Sequence, residues 1–345
     1  MRRSVLAVLT GFLLVAALFA SRAVVRERRS AVHEIAGLTM GTTYTVMIPG
    51  VLVPARLAAV RDTIEARLRT VNHLMSTYDS ASELSRFNRH ESLEPFAVSR
   101  QTLAVFRVAR DVSERSEGAF DVTVGPLVDA WGFGPPGRPP TPPDEAVLRR
   151  LLERVGYERI VIDTLAGTLT KTHPHTAADL SGVAKGFGVD QVAEALDAMG
   201  FTAYMVEIGG EIRARGRKAD GSPWRAGVEL PGGQVRSVYR AVDLVDLAIA
   251  TSGDYRNYYE IDGVRYAHIL DPRTGRPARH AGASVTVLHE WAAVADAWAT
   301  ALSVLGPEEG RQLAEREGLA AYFLTRAGEG IEGHGTSAFE RLAGR

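Results

Sequence analysis

The order of the predicted secondary-structure elements constrains the fold of this chain more than any other feature. Apolar residues recur at helical spacing over 54–75 and again over about 99–117, before two short strands near 158–163 and 167–171. Residues 203–287, by contrast, are mostly strands and turns. Helices therefore lie between groups of strands rather than after every strand. This order predicts an α+β fold of mainly antiparallel sheets packed with helices.

The other predicted elements complete this pattern, and the chain shows no internal repeat. They are a strand at 36–49, a loop at 76–98, an exposed proline-rich loop at 133–143, a helix at 144–155, a helix at 184–199 ending at Gly200, a hairpin within 255–270, helices at 291–305 and 307–317, and a strand at 319–325. No GxGxxG sequence follows a strand and there is no Walker motif, so a bound nucleotide must be held in some other way.

The amino-terminal segment has the layout of a signal peptide or a short membrane anchor. Two arginines precede a mostly apolar run at 4–20, and small residues follow it. The run is near the lower length limit for a spanning helix, and the arginines within 22–29 put more positive charge after it than before it, which argues against export. We expect residues 1–30 to be a signal peptide or N-terminal membrane anchor, holding the protein to the membrane if it is not cleaved. Residues 31–345 would form the folded domain, outside the cytoplasm.

The composition excludes several kinds of site. The chain has no cysteine, which rules out structural disulfides, cysteine-ligated zinc, a thiol nucleophile and the acylated cysteine of a lipoprotein. Lys+Arg is 40 and Asp+Glu is 41, so we expect no nucleic-acid partner. Almost all basic residues are arginine, and lysine occurs only at Lys171, Lys185 and Lys218.

Two glycine-rich segments could bring the backbone close to a ligand. In DLSGVAKGFGVDQ (179–191), Lys185 adds a positive charge at a predicted helix start, where backbone N–H groups favour anions. A tight entry into the helix explains these glycines equally well. In EIGGEIRARG (207–216), the paired glycines after a strand mark either a bulge or a close ligand approach. On its own, the second segment favours the structural explanation.

A third polar region joins ATSGDYRNYYE (250–260) to HILDPRTGRP (268–277) through the predicted hairpin. Thr251, Ser252 and the nearby backbone could wrap a phosphate. His268 lies at the end of a strand, immediately before a DPRTG turn. A lone histidine is usually structural, but one between two polar, glycine-containing loops is explained equally well as a catalytic group.

The segment AAVADAWATALSVLG (292–306) predicts a helix of small apolar residues with two oxygen donors on one face, Asp296 and Thr300. A carboxylate on a buried face needs a partner. A hard cation with oxygen ligands, such as Mg²⁺, would suit it. The alternative is an ordinary hydrogen bond from Thr300 to the preceding turn, and the spacing alone does not decide between the two.

Two loop-like segments supply aromatic side chains, MSTYDSASELSRFN (75–88) and EGAFDVTVGPLVDAWGFG (117–134). Their Tyr78, Phe120 and Trp131 could stack on the rings of a ligand or pack in the core. Neither explanation is favoured by the segments alone.

Taken in order, these motifs resemble the ApbE family, the FAD:protein FMN transferases. The matching motifs are MGTTY (40–44), MSTYDSASELSRFN, GAFDVTVGPLVDAWGFG, DLSGVAKGFGVDQ, VEIGGEIRARG, PWRAGVELP (223–231), IATSGDY (249–255), HILDPRTGRP and ADAWATAL (295–302). Each motif is unspecific alone, whereas the ordered set over residues 40–302 is highly specific. The resemblance implies an ApbE-like, T-fold-related architecture with a flavin-nucleotide site between sheet and loops.

The resemblance also implies roles for residues at the matching positions. For Mg²⁺ it implies Asp296, Thr300 and a backbone carbonyl of the SGVAKG turn, that of Gly182. For FAD it implies contacts from Met40, Tyr78, Ser80, Ala81, Ser82, Asn88, Asp121, Lys185, Ser252 and Ile269. His268 matches the group that deprotonates the incoming hydroxyl.

The implied activity is Mg²⁺-dependent transfer of FMN from FAD to a threonine, or sometimes a serine, of acceptor proteins. The product is a phosphoester and AMP is released. The implied acceptors are subunits of membrane redox complexes that carry a flavinylation motif. From the apolar segment at 4–20 and the lack of cysteine, we expect the protein on the periplasmic side of a bacterial inner membrane, anchored or secreted. Two other activities stay open. The same site could hydrolyse FAD to FMN and AMP with water in place of the hydroxyl, or the protein could bind and deliver flavin without catalysis.

The chain departs from the family pattern in three ways. Many relatives are lipoproteins, which a chain without cysteine cannot be. Trp298 stands where a smaller aliphatic residue is usual, although it faces away from Asp296 and Thr300 on the predicted helix. The loop at 133–143 has no counterpart in the family motifs.

Overall fold

The structure is a computed structural model that describes residues 32–343, apart from 138, 140, 232–236, 255–257, 262–263 and 329. The segment 1–30, expected to be a signal peptide or an anchor, lies outside these residues, so its assignment and the boundary at 31 stay predictions. Along the described chain, no helix is both long enough and apolar enough to cross a bilayer.

Strands and helices alternate irregularly along the described chain. The strands are β1 (Val32–Thr39), β2 (Thr42–Pro49), β3 (Phe96–Ala97), β4 (Ile160–Asp163), β5 (Thr168–Lys171), β6 (Tyr204–Ile208), β7 (Glu211–Arg215), β8 (Trp224–Glu229), β9 (Val238–Leu244), β10 (Leu247–Gly253), β11 (Tyr258–Ile261), β12 (Val264–Ala267), β13 (Leu270–Asp271), β14 (Arg276–Pro277), β15 (Gly282–His289), β16 (Ala320–Ala327) and β17 (Gly330–Gly335). The helices are α1 (Pro54–Met75), α2 (Glu83–Arg89), α3 (Arg100–Arg115), α4 (Gly125–Ala130), α5 (Glu145–Leu152), α6 (Ala184–Ala198), α7 (Ala292–Arg316) and α8 (Ser337–Ala343).

The described residues fold around an antiparallel sheet of eight strands, in the order β1-β2-β6-β7-β10-β15-β16-β17. Every neighbouring pair in it is antiparallel. The smaller sheets are β3-β5-β4 and the pairs β8-β9, β11-β12 and β13-β14. The predicted α+β class with mainly antiparallel sheets is therefore confirmed.

Strand β10 shows how both faces of the large sheet are covered. Ala248 and Ala250 lie on one face and belong to the core shared with α1, α6 and α7. Ile249, between them, lies on the other face and packs in a cluster with Trp224 of β8 and Phe339 of α8. Successive strand residues point to opposite faces of the sheet. At the end of β10, side chains therefore alternate between the face covered by the helices and the opposite face.

Helix α6 is fastened to the amino-terminal end of α7. Asp190 of α6 accepts hydrogen bonds from the N–H groups of Ala292 and Ala293, at 3.0 and 2.9 Å, and so caps a helix whose own N-cap residue supplies no side-chain bond. The two helices also touch, because a Cβ on Gly186 would lie 2.3 Å from the carbonyl oxygen of Ala292. Only glycine fits at that contact.

Helix α7 is interrupted where two separate helices were predicted, at 291–305 and 307–317. Gly306 has a φ of 79°, and Pro307 follows it. Since proline has no N–H, the carbonyl of Ser303 lacks its usual helical donor. The Nε2 of His280 lies 2.7 Å from that oxygen and takes the place of the missing donor.

Two of the predicted boundaries are wrong. The single strand expected at 36–49 is two strands, β1 and β2, joined by a tight turn in which Met40 and Gly41 have φ values of 48° and 73°. The loop expected at 76–98 contains helix α2 and the short strand β3. Ser82 begins α2 by accepting a hydrogen bond from the N–H of Ser85 at 2.9 Å.

Candidate active site

A cavity of about 310 Å³ lies where the amino-terminal parts of α6 and α7 meet the end of β10 and the segment between β12 and β13. It is lined by eight of the residues expected to act at the site, namely Asp121, Gly182, Lys185, Ser252, His268, Ile269, Asp296 and Thr300. These come from five separate stretches of sequence. The fold thus brings the motifs together at one place.

A second groove, of about 670 Å³, continues from this cavity. Met40 and Tyr78 line it, and the two spaces share Asp179, Ser181 and Lys185. Together they fall in the size range of sites for small molecules and cofactors. The turn between β1 and β2 therefore faces the same site as Lys185.

Four of the expected FAD contacts line neither space: Ser80, Ala81, Ser82 and Asn88. Ser82 is fully buried, where it caps α2 and donates to the carbonyl of Ser76 at 2.6 Å. Asn88 exchanges two hydrogen bonds of 2.8 Å with the backbone of Ala178. These bonds hold Ser82 and Asn88 in the structure beside the site, and the contacts of all four residues with FAD stay predictions.

The polar centre of the cavity is a lysine between two buried carboxylates. Nζ of Lys185 lies 2.6 Å from Oε1 of Glu211 and 3.8 Å from Oδ1 of Asp296. The other Asp296 oxygen accepts a hydrogen bond of 3.0 Å from the N–H of Gly186. Oε2 of Glu211 is buried and has no hydrogen-bond partner among the described residues.

Burial governs the protonation of both carboxylates. Desolvation raises the pKa of Glu211 to about 7, against the opposing effect of the Lys185 ammonium. Desolvation likewise raises the pKa of Asp296, and the same ammonium opposes it. A cation placed between them would stabilise their charged forms.

Oxygen donors lie next to Asp296. The hydroxyls of Ser252 and Thr300 are 3.2 Å apart, and a Cβ on Gly182 would lie 3.2 Å from Oγ1 of Thr300, so the SGVAKG backbone closely approaches that hydroxyl. Along the described chain, no three His, Cys, Asp or Glu side chains gather as a metal centre. A carboxylate, a hydroxyl and a carbonyl oxygen are nevertheless the hard ligands that Mg²⁺ takes, usually with waters completing its shell.

Asp121 begins a short 3₁₀ turn at the cavity wall. Its Oδ1 accepts hydrogen bonds from the N–H and the hydroxyl of Thr123, at 2.7 and 2.6 Å. Desolvation outweighs these bonds and raises the pKa of Asp121 to about 6.

His268 enters the cavity between β12 and β13 and is flanked by aromatic side chains. Its ring meets Phe133 edge-on, with centroids 6.3 Å apart, and Phe133 stacks on Tyr259 at 5.3 Å. Of the other aromatic residues considered, Phe120 lines the cavity, whereas Trp131 is buried and donates its indole N–H to the carbonyl of Gly275 at 2.8 Å. Trp131 therefore belongs to the core.

Glu211 and Asp179 were not anticipated as site residues. Asp179 stands first in the motif DLSGVAKGFGVDQ, which marked it indirectly. Glu211 follows the paired glycines of EIGGEIRARG. It is identified as a site residue only by its burial against Lys185, and no local sequence pattern predicts that contact.

Fold and cavity together define an α+β protein with a charged binding site, of the size that small molecules and cofactors occupy, beside an antiparallel sheet. The chain belongs to the ApbE family, whose model matches residues 40–323. This confirms the resemblance carried by the ordered motifs.

Individual relatives cover nearly the whole chain. It is 46% identical over 317 residues to the FAD:protein FMN transferase of Vibrio cholerae serotype O1, covering 91% of this chain and 93% of that protein. It is 37% identical over 309 residues to the FAD:protein FMN transferase of Escherichia coli K12, covering 89% and 88%.

Solved structures show the same architecture. The flavin transferase ApbE from Vibrio cholerae matches with a TM-score of 0.83 at 44% identity, over 90% of this chain and 99% of that one. The apo flavinyl transferase ApbE of Pseudomonas stutzeri matches with a TM-score of 0.83 at 39% identity, over 91% and 98%. The expected ApbE-like fold is thereby confirmed.

Proposed function

We propose that this protein transfers the FMN part of FAD to a hydroxyl side chain of an acceptor protein. The observation that carries the proposal is a single cavity that gathers a lysine, two buried carboxylates, neighbouring hydroxyls and a histidine. The relatives at 46% and 37% identity are FAD:protein FMN transferases. Both lines of support point to chemistry on a phosphate group.

The chain's own groups suit such a reaction. The acceptor hydroxyl forms a new bond to the phosphorus nearer FMN, the pyrophosphate P–O bond breaks, and AMP leaves. His268 takes the hydroxyl proton at a ring nitrogen, which raises the rate by roughly 10²–10⁴-fold for a well-placed base. The Lys185 ammonium offsets negative charge on the phosphoryl oxygens.

A divalent cation fits the donors beside Lys185. Asp296, Thr300 and the Gly182 carbonyl would hold Mg²⁺, since the carboxylate is buried, one of its oxygens is turned toward the lysine, and the hydroxyl lies against the SGVAKG backbone. Bound there, Mg²⁺ would supply charge neutralisation for the pyrophosphate.

The acceptor reaction separates this proposal from its two alternatives. Intact mass spectrometry of a candidate membrane redox subunit, incubated with the full protein, FAD and Mg²⁺, should show the mass of FMN less water added once. One AMP should appear per modified acceptor. A matched acceptor with valine in place of its threonine should stay unmodified. Release of FMN and AMP without modification of the acceptor would instead establish a pyrophosphatase. If no AMP were released, the protein would be a flavin-delivery protein without catalysis.

The proposed location is the periplasmic side of the inner membrane. It is supported by the apolar run at 4–20 and the lack of cysteine. We expect a carboxyl-terminal alkaline phosphatase fusion to be active in cells, because that enzyme needs an oxidising compartment. An inactive phosphatase fusion together with a fluorescent cytoplasmic counterpart would reject this location.

A further inference from the structure

The glycine pair of EIGGEIRARG brings a carboxylate to Lys185. Strands β6 and β7 form a hairpin in which Ile208 pairs with Glu211, and Gly209 in the turn has a φ of 61°. A Cβ on Gly209 would lie 3.4 Å from Cδ of Lys185, so the lysine stem passes directly over the turn. The turn that looked structural in sequence thus sets where the ammonium can lie.

The two carboxylates beside this ammonium are not equivalent. Glu211 Oε1 is within hydrogen-bond distance of Nζ at 2.6 Å, whereas Asp296 Oδ1, at 3.8 Å, is beyond it. Both carboxylate side chains are only 4% exposed. At these distances the lysine donates a hydrogen bond to Glu211, while Asp296 receives only the electrostatic attraction of the ammonium.

Glu211 is an expensive residue to bury for stability alone. One of its oxygens has no hydrogen-bond partner among the described residues. A buried, half-satisfied carboxylate generally destabilises a fold relative to an apolar side chain of similar size. Its place at the cavity therefore needs an explanation in terms of the site.

We propose that Glu211 is a positioning residue that holds the Lys185 ammonium away from Asp296 and so keeps Asp296 available to a divalent cation. The inference rests on the proposed function, in which Asp296 is a cation ligand. An ammonium and a divalent cation compete for one carboxylate, because each neutralises it. With Glu211 removed, Asp296 still lies 3.8 Å from the ammonium, and the ion pair between them competes with the cation.

Titration of the full protein with Mg²⁺ alone, by isothermal calorimetry, tests this without any catalytic readout. Glu211→Gln removes the charge, and Glu211→Asp keeps the charge but withdraws it by one methylene. We expect both to weaken Mg²⁺ affinity by about tenfold or more, since both release the ammonium toward Asp296. The double variant Lys185→Met/Glu211→Gln has no ammonium to compete, so its Mg²⁺ affinity should return at least to the wild-type value while transfer stays lost. A merely structural role for Glu211 does not predict this recovery.

The outcomes are distinct. Weak binding by both single variants and recovery in the double variant support the inference. Wild-type affinity in Glu211→Gln would overturn it, because the ammonium would then not compete with the cation for Asp296 after losing its partner. Failure of the double variant to recover, with its melting temperature unchanged, would also overturn it. No Mg²⁺ binding by the wild-type protein would instead remove the cation from the proposed function.

Discussion

Replacing Asp296 with asparagine should lower the rate of FMN transfer by about 10³-fold or more, because the site loses the carboxylate that we propose as the cation ligand. The amide oxygen of asparagine can still accept the hydrogen bond that Gly186 donates at 3.0 Å. The variant also removes a buried charge, whose desolvation raises the pKa of Asp296 in the native protein. We therefore expect a folded protein with an unchanged or higher melting temperature in the absence of Mg²⁺.

Two measurements make this result specific. Mg²⁺ should raise the melting temperature of the wild-type protein and leave that of Asp296→Asn unaffected, since only a state that binds the ion is stabilised by it. Asp197→Asn is the matched control, because it breaks the ion pair with Arg215 but does not line the cavity. A near-normal transfer rate for Asp296→Asn at low Mg²⁺ would show that the cation ligands are assigned wrongly.

Replacing His268 with asparagine should lower transfer by roughly 10²-fold or more while FAD and Mg²⁺ binding are kept. Asparagine preserves polarity and approximate size but cannot take a proton near neutral pH. Raising the pH should partly rescue the variant, because solvent hydroxide can replace the missing base. The measurement is paired: FAD affinity from fluorescence quenching, and the transfer rate at saturating FAD over a range of pH.

His334→Asn provides the control for this substitution. His334 lies on the edge strand β17, is exposed, and does not line the cavity. The His334→Asn variant should transfer FMN at the wild-type rate at every pH. If His268→Asn weakened FAD binding but transferred normally at saturating FAD, His268 would be a binding or packing residue and not the base.

Local periodicity predicted the long helices well. The apolar positions over 54–75 recover α1 at its full extent, Pro54–Met75, and the predicted helix at 184–199 ends at Ala198 in the structure. In each case the signal lies within the segment, because one helix face must be apolar to reach the core. The prediction of a single strand at 36–49 was wrong because it also used only the local pattern. The alternation of apolar and polar residues continues through the turn, and the sequence does not show that Met40, beside Gly41, adopts a φ of 48°.

The site likewise contains some residues that the sequence predicted and others that it did not. Asp296 and Thr300 could be paired in advance, because four residues on a helix place two side chains on one face. The family motifs supplied the other expected residues. Glu211 could not be found, because its importance depends on how the β6–β7 turn packs under Lys185. Likewise, Ser82 and Asn88 lie in the matching motif, but their bonds to Ser76 and Ala178 appear only after folding.

The contact between α6 and α7 makes the two sides of the cavity differ in how readily they open. The Asp190 carboxylate ties the first amides of one helix to the other, so the segments that carry Lys185 and Asp296 separate only when this core comes apart. On the other side of the cavity, His268 comes directly after the hairpin β11–β12 in the chain. The two strands of this hairpin pair only with each other among the described residues. Amide hydrogens at the contact between α6 and α7 should thus exchange with solvent only through global unfolding, and those of the hairpin through local opening. In the proposed reaction, an acceptor polypeptide would then enter and leave on the histidine side while the charged cluster stays assembled.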